Sequence, residues 1–210
     1  PPRMDRTLEV RWFIEGPIPY SVKEWADGLD LHHESTRTDR YLVSQDGGMN
    51  VKVRNGKIQT KRRLDGPSPL SFSDTVQGYQ EHWVKWSFST PGTASDFPAE
   101  DPDGLWVPVH KVRRRRLFST DEYDTLLETP PNSPTHSKLE LTEVHVGEAE
   151  AYTICVEAEG PDACLHDTLN AVGTTFFDND APDLRPDQSF GYAKWLATLA
   201  AQHVLPTDVL

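Results

Sequence analysis

Eleven of the chain's 21 Lys and Arg residues fall in two short runs, residues 49–63 and 111–116. Within them Lys52, Arg54 and Lys61, and then Lys111 and Arg113, fall where a strand or hairpin puts side chains on one face. Lys85 sits on the same kind of alternation in Tyr79, Glu81, Trp83, Lys85. Cations set opposite one another repel, and an anion with several oxygens relieves the repulsion through charge-assisted hydrogen bonds. A second set is acidic: Glu9 in an early extended segment, and Glu157 with Glu159 projecting to one side of a late one. Carboxylates in such pairs are hard oxygen ligands for a divalent metal. If both sets share one cavity, the chemistry is that of a polyphosphate with metal, Lys and Arg on the phosphates and carboxylates on the ion. Competing chemistries have weaker support. The eight histidines lack zinc-site spacing, no Ser-His-Asp or Cys-His arrangement stands out, and Cys155 reads as a small apolar core residue. Trp83, Trp86, Trp106 and Trp195 read as packing residues.

The positioning elements are mostly strands. Met49 to Arg63 reads as a hairpin about Asn55-Gly56, the dipeptide that a two-residue turn with positive φ at both positions favours. Its register sets Arg54 against Lys57, Lys52 against Gln59 and Asn50 against Lys61, with Val51, Val53, Ile58 and Thr60 behind. Further strands are expected over Thr7–Glu15, through Arg37–Val43, and over Val76–Phe88, Leu105–Phe118, Leu139–Val146 and Ala151–Glu159. Helices are expected over Ser21–Leu29, with Ser21 and Glu24 as a capping box, over Asp162–Phe177 behind Pro161, and over Gln188–Val204. Leu64–Ser71 reads as turns, Ser89–Gly104 as a surface loop, Asp121–Leu127 as one or two helical turns, and Thr129–Ser137 as a linker.

A chain of 210 residues suits one domain, residues 1–210, as monomer or homodimer. Its net charge of −12 argues against general nucleic-acid binding. Residues 117–210 carry 17 acids against three Lys/Arg, so the basic runs face an acidic second half. Two cysteines make no disulfide framework, which fits a reducing, cytoplasmic setting, and neither a signal peptide nor a membrane span is expected.

Hairpin-like spacings and two late helices predict an α+β fold: an eight-stranded antiparallel barrel with helices packed outside. With an apolar lumen it would be a lipocalin-like carrier of hydrophobic ligands. With the charged faces inward it would have to contain water or an anion. The residues resemble the CYTH superfamily of triphosphate tunnel enzymes. The resemblance rests on Glu9-Val-Arg11, Val51-Lys-Val-Arg54 with Lys61, Lys111-Val-Arg113, Leu139-Glu-Leu-Thr-Glu-Val144, Val156-Glu-Ala-Glu159 and the closing Ser189-Phe-Gly-Tyr-Ala-Lys-Trp-Leu196.

The resemblance implies a tunnel that binds a triphosphate, a nucleotide or another small polyphosphate through Lys52, Arg54, Lys61, Lys85, Lys111 and Arg113. It also implies Mg²⁺ or Mn²⁺ on Glu157, Glu159 and Glu140, and phosphoanhydride hydrolysis with Glu9, Glu157 and Glu159 as the catalytic carboxylates. Two departures bear on the metal. The family's Glu-x-Glu-x-Lys opening reads here as Glu9, Arg11 and Phe13, and a late aspartate position is Thr142. A non-catalytic, anion-binding or protein-interaction relative is the alternative that these departures raise.

Overall fold

The computed structural model of the chain describes residues 3–89, 106–120, 126–128, 135–178, 180–202 and 204–205. Strand β1 (Arg3–Glu15) is followed by helix α1 (Tyr20–Gly28), β2 (His32–Leu42) and the hairpin of β3 (Met49–Arg54) and β4 (Lys57–Arg63). Then come β5 (Ser68–Ser71), β6 (Gln77–Ser89), β7 (Trp106–Thr120), β8 (Leu126–Glu128), β9 (His136–Val146), β10 (Ala149–Glu159), α2 (Asp162–Phe176) and α3 (Tyr192–Ala201). β1 is the seam. It pairs with β6 from Arg3 opposite Ser87 to Val10 opposite Gln80, and with β10 from Thr7 opposite Glu159 to Glu15 opposite Ala151. The ring closes in the order β1-β10-β9-β7-β2-β3-β4-β6 and back to β1, with β5 added on β6 and β8 on β7. Closure leaves no edge in the main sheet. The fold is thus α+β, a closed eight-stranded antiparallel barrel with helices.

The hairpin register is the one that Asn55-Gly56 predicts, with φ of 49° and 68° at the turn and Lys52 opposite Gln59. Other local expectations change. Ser68–Ser71, read as turn, pairs with Gln77–Gln80 as β5. Leu126–Glu128 pairs with β7, so the end of the expected helical turn is strand; residues 121–125 lie outside the described residues. The expected loop lies almost wholly outside them too, at 90–105, as does most of the linker, whose last two residues, His136 and Ser137, open β9. Helix α1 starts at Tyr20 behind Pro19, whose fixed φ sets the entry. Ser21 therefore lies inside the first turn, no side chain caps the helix, and the Ser21/Glu24 box is not formed.

Two apolar clusters flank the barrel wall in different ways. The outward faces of β1, β9 and β10 (Val10, Trp12, Leu139, Leu141, Ile154, Val156) bury against α2 through Leu165, Leu169 and Val172, and against α1 through Val22 and Ala26. The second cluster lies inside. Phe13, Tyr41, Val107, Val109, Val144 and Ala151 share the parity of the charged inward residues, and they pack on Tyr192, Trp195, Leu196 and Leu199 of α3. Phe13 stacks on Trp195 with centroids 4.9 Å apart, and Tyr41 on Tyr192 at 5.4 Å. Helix α3 is therefore a plug in one end of the barrel and not an outer cover. It also starts four residues later than expected. The Phe190 N–H donates to the Arg11 carbonyl at 2.9 Å, and the Tyr79 N–H donates to Ser189 Oγ at 2.8 Å, which ties this stretch to β1 and β6 before the helix can begin.

Candidate functional site

Above the plug, the inward faces enclose a cavity of about 560 Å³. Nine residues singled out from sequence line it together: Glu9, Lys52, Arg54, Lys61, Lys85, Lys111, Arg113, Glu140 and Glu157. Glu159 lies just beyond, with Lys85 Nζ 3.4 Å from its carboxylate. The charged faces therefore point inward, which overturns the lipocalin-like alternative. Ten Lys and Arg side chains line the cavity against three carboxylates. Asn55, exposed at the hairpin turn, marks where the cavity reaches the surface.

Each carboxylate in or beside the cavity holds a cation. Lys61 Nζ lies 2.8 Å from Glu9 and 3.7 Å from Glu157, and Lys138 Nζ lies 3.0 Å from Glu157. Glu140 takes Arg11 at 3.4 Å on one oxygen and Arg113 at 3.2 Å on the other, and the Thr142 hydroxyl donates to it at 3.0 Å. Burial alone would raise these carboxyls. Instead Arg11, Arg113 and Lys138 hold Glu140 well below the usual carboxylate range, and Lys138, Lys61 and Lys85 do the same for Glu157. Glu81, bonded to Arg63 at 2.6 Å, goes the other way, pushed up by burial and by the neighbouring Glu9.

Deeper toward the plug, Asp39 is fully buried and surrounded by cations, with Lys111 at 3.2 Å, Lys52 and Arg37 at 3.5 Å and Arg54 at 4.0 Å. These four outweigh burial and keep its carboxyl far below normal. A single carboxylate does not offset them. Lys52 is pushed down to about 7 by burial and by Arg54, Arg37 and Lys61, against the pull of Asp39. Lys111, which donates to the Tyr41 hydroxyl at 2.6 Å, is lowered by burial and by Lys52.

The donor set does not fit a divalent metal. Mg²⁺ and Mn²⁺ need carboxylate oxygens whose charge is available to them, and here both oxygens of Glu140 and Glu157 and one oxygen each of Glu9 and Glu159 carry ammonium or guanidinium partners. Among the described residues no three acidic, histidine or cysteine side chains converge as a ligand set. Arg11 is the clearest cause: it is 6% exposed, bonded to Thr153 at 2.9 Å, and occupies with its own charge the neighbourhood of Glu140.

Sequence reasoning passed over Asp39, Arg37 and Lys138. Alternation along β2 puts Arg37 and Asp39 on the face of Tyr41, and alternation along β9 puts Lys138 on the face of Glu140, but Lys138 lies between the expected linker, which ends at Ser137, and the expected strand, which starts at Leu139. Trp83, expected only to pack, also lines the cavity.

No protein-family model matches the chain, and no curated protein matches it. Among solved structures it is similar to HpAC1 from Hippeastrum, a candidate adenylyl cyclase described as having a dominant triphosphatase activity. The identity is 12%, over 76% of this chain and 80% of that one, with a TM-score of 0.33. The site stands on its own geometry and not on that likeness. No helix among the described residues is long and apolar enough to cross a membrane.

Proposed function

We propose that the cavity binds a small polyphosphate, a triphosphate or the phosphate chain of a nucleotide, through its cations directly and without a bridging metal. The observation that carries this reading is the excess of ten lining Lys and Arg over three lining carboxylates in one cavity. Cations that outnumber the carboxylates they share repel one another, and an anion that accepts from several of them at once relieves the repulsion and supplies charge-assisted hydrogen bonds. Lys52, Arg54, Lys111 and Arg113 are the contacts expected to matter most. Lys61 is shared between Glu9 and Glu157, so its role is to hold those carboxylates away from the ligand. In this arrangement Glu9, Glu157 and Glu159 balance charge; they do not activate water.

Calorimetric titration with tripolyphosphate, in EDTA and then in excess Mg²⁺ or Mn²⁺, tests the reading, with free phosphate assayed in the same samples. Affinity is expected to persist in EDTA, and no phosphate is expected to appear with either metal. Binding that requires a metal, or phosphate release lost in Glu157→Gln, would replace it with a metal-dependent hydrolase. No heat and no thermal shift with any polyphosphate would remove the anion site altogether.

A further inference from the structure

Five of the chain's eight lysines line the cavity, and they differ in what holds them. Lys61 sits between Glu9 and Glu157, Lys138 lies on Glu157, and Lys85 is 3.4 Å from both Asp5 and Glu159. The other two share a single carboxylate oxygen. Lys52 and Lys111 stand 3.5 and 3.2 Å from Asp39 Oδ2, while Arg37 and Arg54 stand 3.5 and 4.0 Å from Oδ1. Four cations around one buried carboxylate repel one another, and the repulsion falls when one of them gives up its proton. A guanidinium does not do so in this pH range, so the proton leaves a lysine. Lys111 is buried and donates to the Tyr41 hydroxyl at 2.6 Å, which occupies it. Lys52 is differently placed. Its side chain lines the cavity and is 20% exposed. Among the described residues its Nζ makes no hydrogen bond, and unlike Arg37 Nε on the neighbouring strand it is not sealed from solvent. Burial, and then Arg54, Arg37 and Lys61, push its pKa down to about 7 against the pull of Asp39. A reachable amine that is partly neutral and flanked by cations is a nucleophile.

We propose that Lys52 is an acylation site, whose Nζ attacks the acyl carbon of an acyl phosphate while the phosphate group rests on the cations beside it. The nitrogen–carbon bond forms as the bond from that carbon to the phosphate oxygen breaks. The proton leaving the nitrogen ends on the departing phosphate, so the products are an amide on Lys52 and inorganic phosphate. Arg54 and Arg37 carry fixed charge and paired donors that suit phosphate, and they offset the charge that builds on the leaving group. The proposal rests on the polyphosphate reading in one respect, that the cations of this wall take up phosphate oxygens. It adds a consequence: acylation removes one positive charge from the wall and weakens the polyphosphate site.

The test incubates the full chain with acetyl phosphate near neutral pH, with and without saturating tripolyphosphate, and follows acetyl occupancy at each lysine by peptide mass spectrometry. Lys52 is expected to be acetylated about tenfold or more faster than the exposed Lys23, Lys57 and Lys194. Tripolyphosphate is expected to remove that advantage, and phenyl acetate, an acyl donor without phosphate, to show a smaller one. Acetylated protein is expected to bind tripolyphosphate about tenfold more weakly. Lys52→Arg, which keeps the charge but accepts no acyl group, is expected to lose almost no affinity to the same treatment. Acetylation of Lys52 no faster than that of the three exposed lysines, an equal preference with phenyl acetate, or an equal loss of affinity in treated Lys52→Arg would overturn the acylation site, and calorimetry with untreated protein would still show the polyphosphate site. Preferential acetylation of Lys52 in a protein that tripolyphosphate neither binds nor protects would sustain the acylation site and overturn the polyphosphate reading.

Discussion

The two halves of the barrel interior are built by the same strands in the same register, yet one is a dry core and the other a charged chamber. β7 shows the change within one strand: Val107 and Val109 pack against the plug, and Lys111, Arg113 and Arg115 line the cavity. β1 does the same with Phe13 on one side and Arg11 and Glu9 on the other. Strand pairing is indifferent to what fills a barrel; the inward side chains decide it, and α3 fits only where they are apolar. Stability is therefore concentrated at the plugged end and recognition at the other, and the two ends should be separable by mutation.

The largest effect is expected at the plug. Trp195→Ala removes the stacking on Phe13 and leaves a void, at a cost of about 3–5 kcal/mol, which lowers the melting temperature by roughly 10 °C in a domain of this size. If the halves are separable, the folded variant keeps its tripolyphosphate affinity within about twofold when titrated well below that temperature. A large loss of affinity would show that α3 and the cations act as one unit.

Next in size is Asp39→Asn, which leaves Lys52, Lys111, Arg37 and Arg54 around a neutral amide. Removing one member of a buried charge cluster costs roughly 3 kcal/mol. Here saturating tripolyphosphate is expected to restore most of the lost melting temperature, because the ligand replaces the missing negative charge. A variant that is equally unstable with and without ligand would place Asp39 in the structural half.

The smallest effect is in pH. Lys52 is held near 7, and an anion needs its ammonium form, so affinity is greatest below pH 7 and declines as pH rises through that value. Its effect on stability has the opposite sense. Between about 7 and the unfolded lysine value of about 10.4 the unfolded chain holds more protons, so this group's contribution to stability rises with pH. Sulfate, which does not titrate in this range, is expected to bind several-fold more weakly at pH 8.5 than at pH 6, and Lys52→Met should flatten the profile. A flat profile in the parent protein would show that Lys52 is not in contact with the anion.

Much of this was legible in the chain because inward and outward positions alternate. Asn55-Gly56 sets the hairpin register without tertiary help, and parity then carried Lys52, Arg54, Lys61, Lys111 and Arg113 to one side. What escaped depends on contacts between residues distant in sequence. The place of α3 follows from Phe13, Val107 and Val144 meeting Trp195 inside the barrel, and no periodicity within α3 distinguishes a plug from an outer cover. The pairing of Glu9 with Lys61 and of Glu140 with Arg11 and Arg113 spans the lumen, so the carboxylates looked available to a metal until the ring was closed. Asp39 escaped because its importance lies in four partners on β2, β3 and β7 and not in its own neighbours.

The excess of positive charge in the lumen has a kinetic consequence. The whole chain carries −12, so the surface outside the cavity is more acidic than that sum indicates. A polyanion is repelled over most of its approach and attracted only at the mouth, within roughly a Debye length of about 8 Å at physiological salt. Added salt screens the outer repulsion and the inner attraction alike, so it eases arrival while loosening retention. Capture and residence are thus governed by opposite fields in one small molecule, and ionic strength moves them in opposite directions.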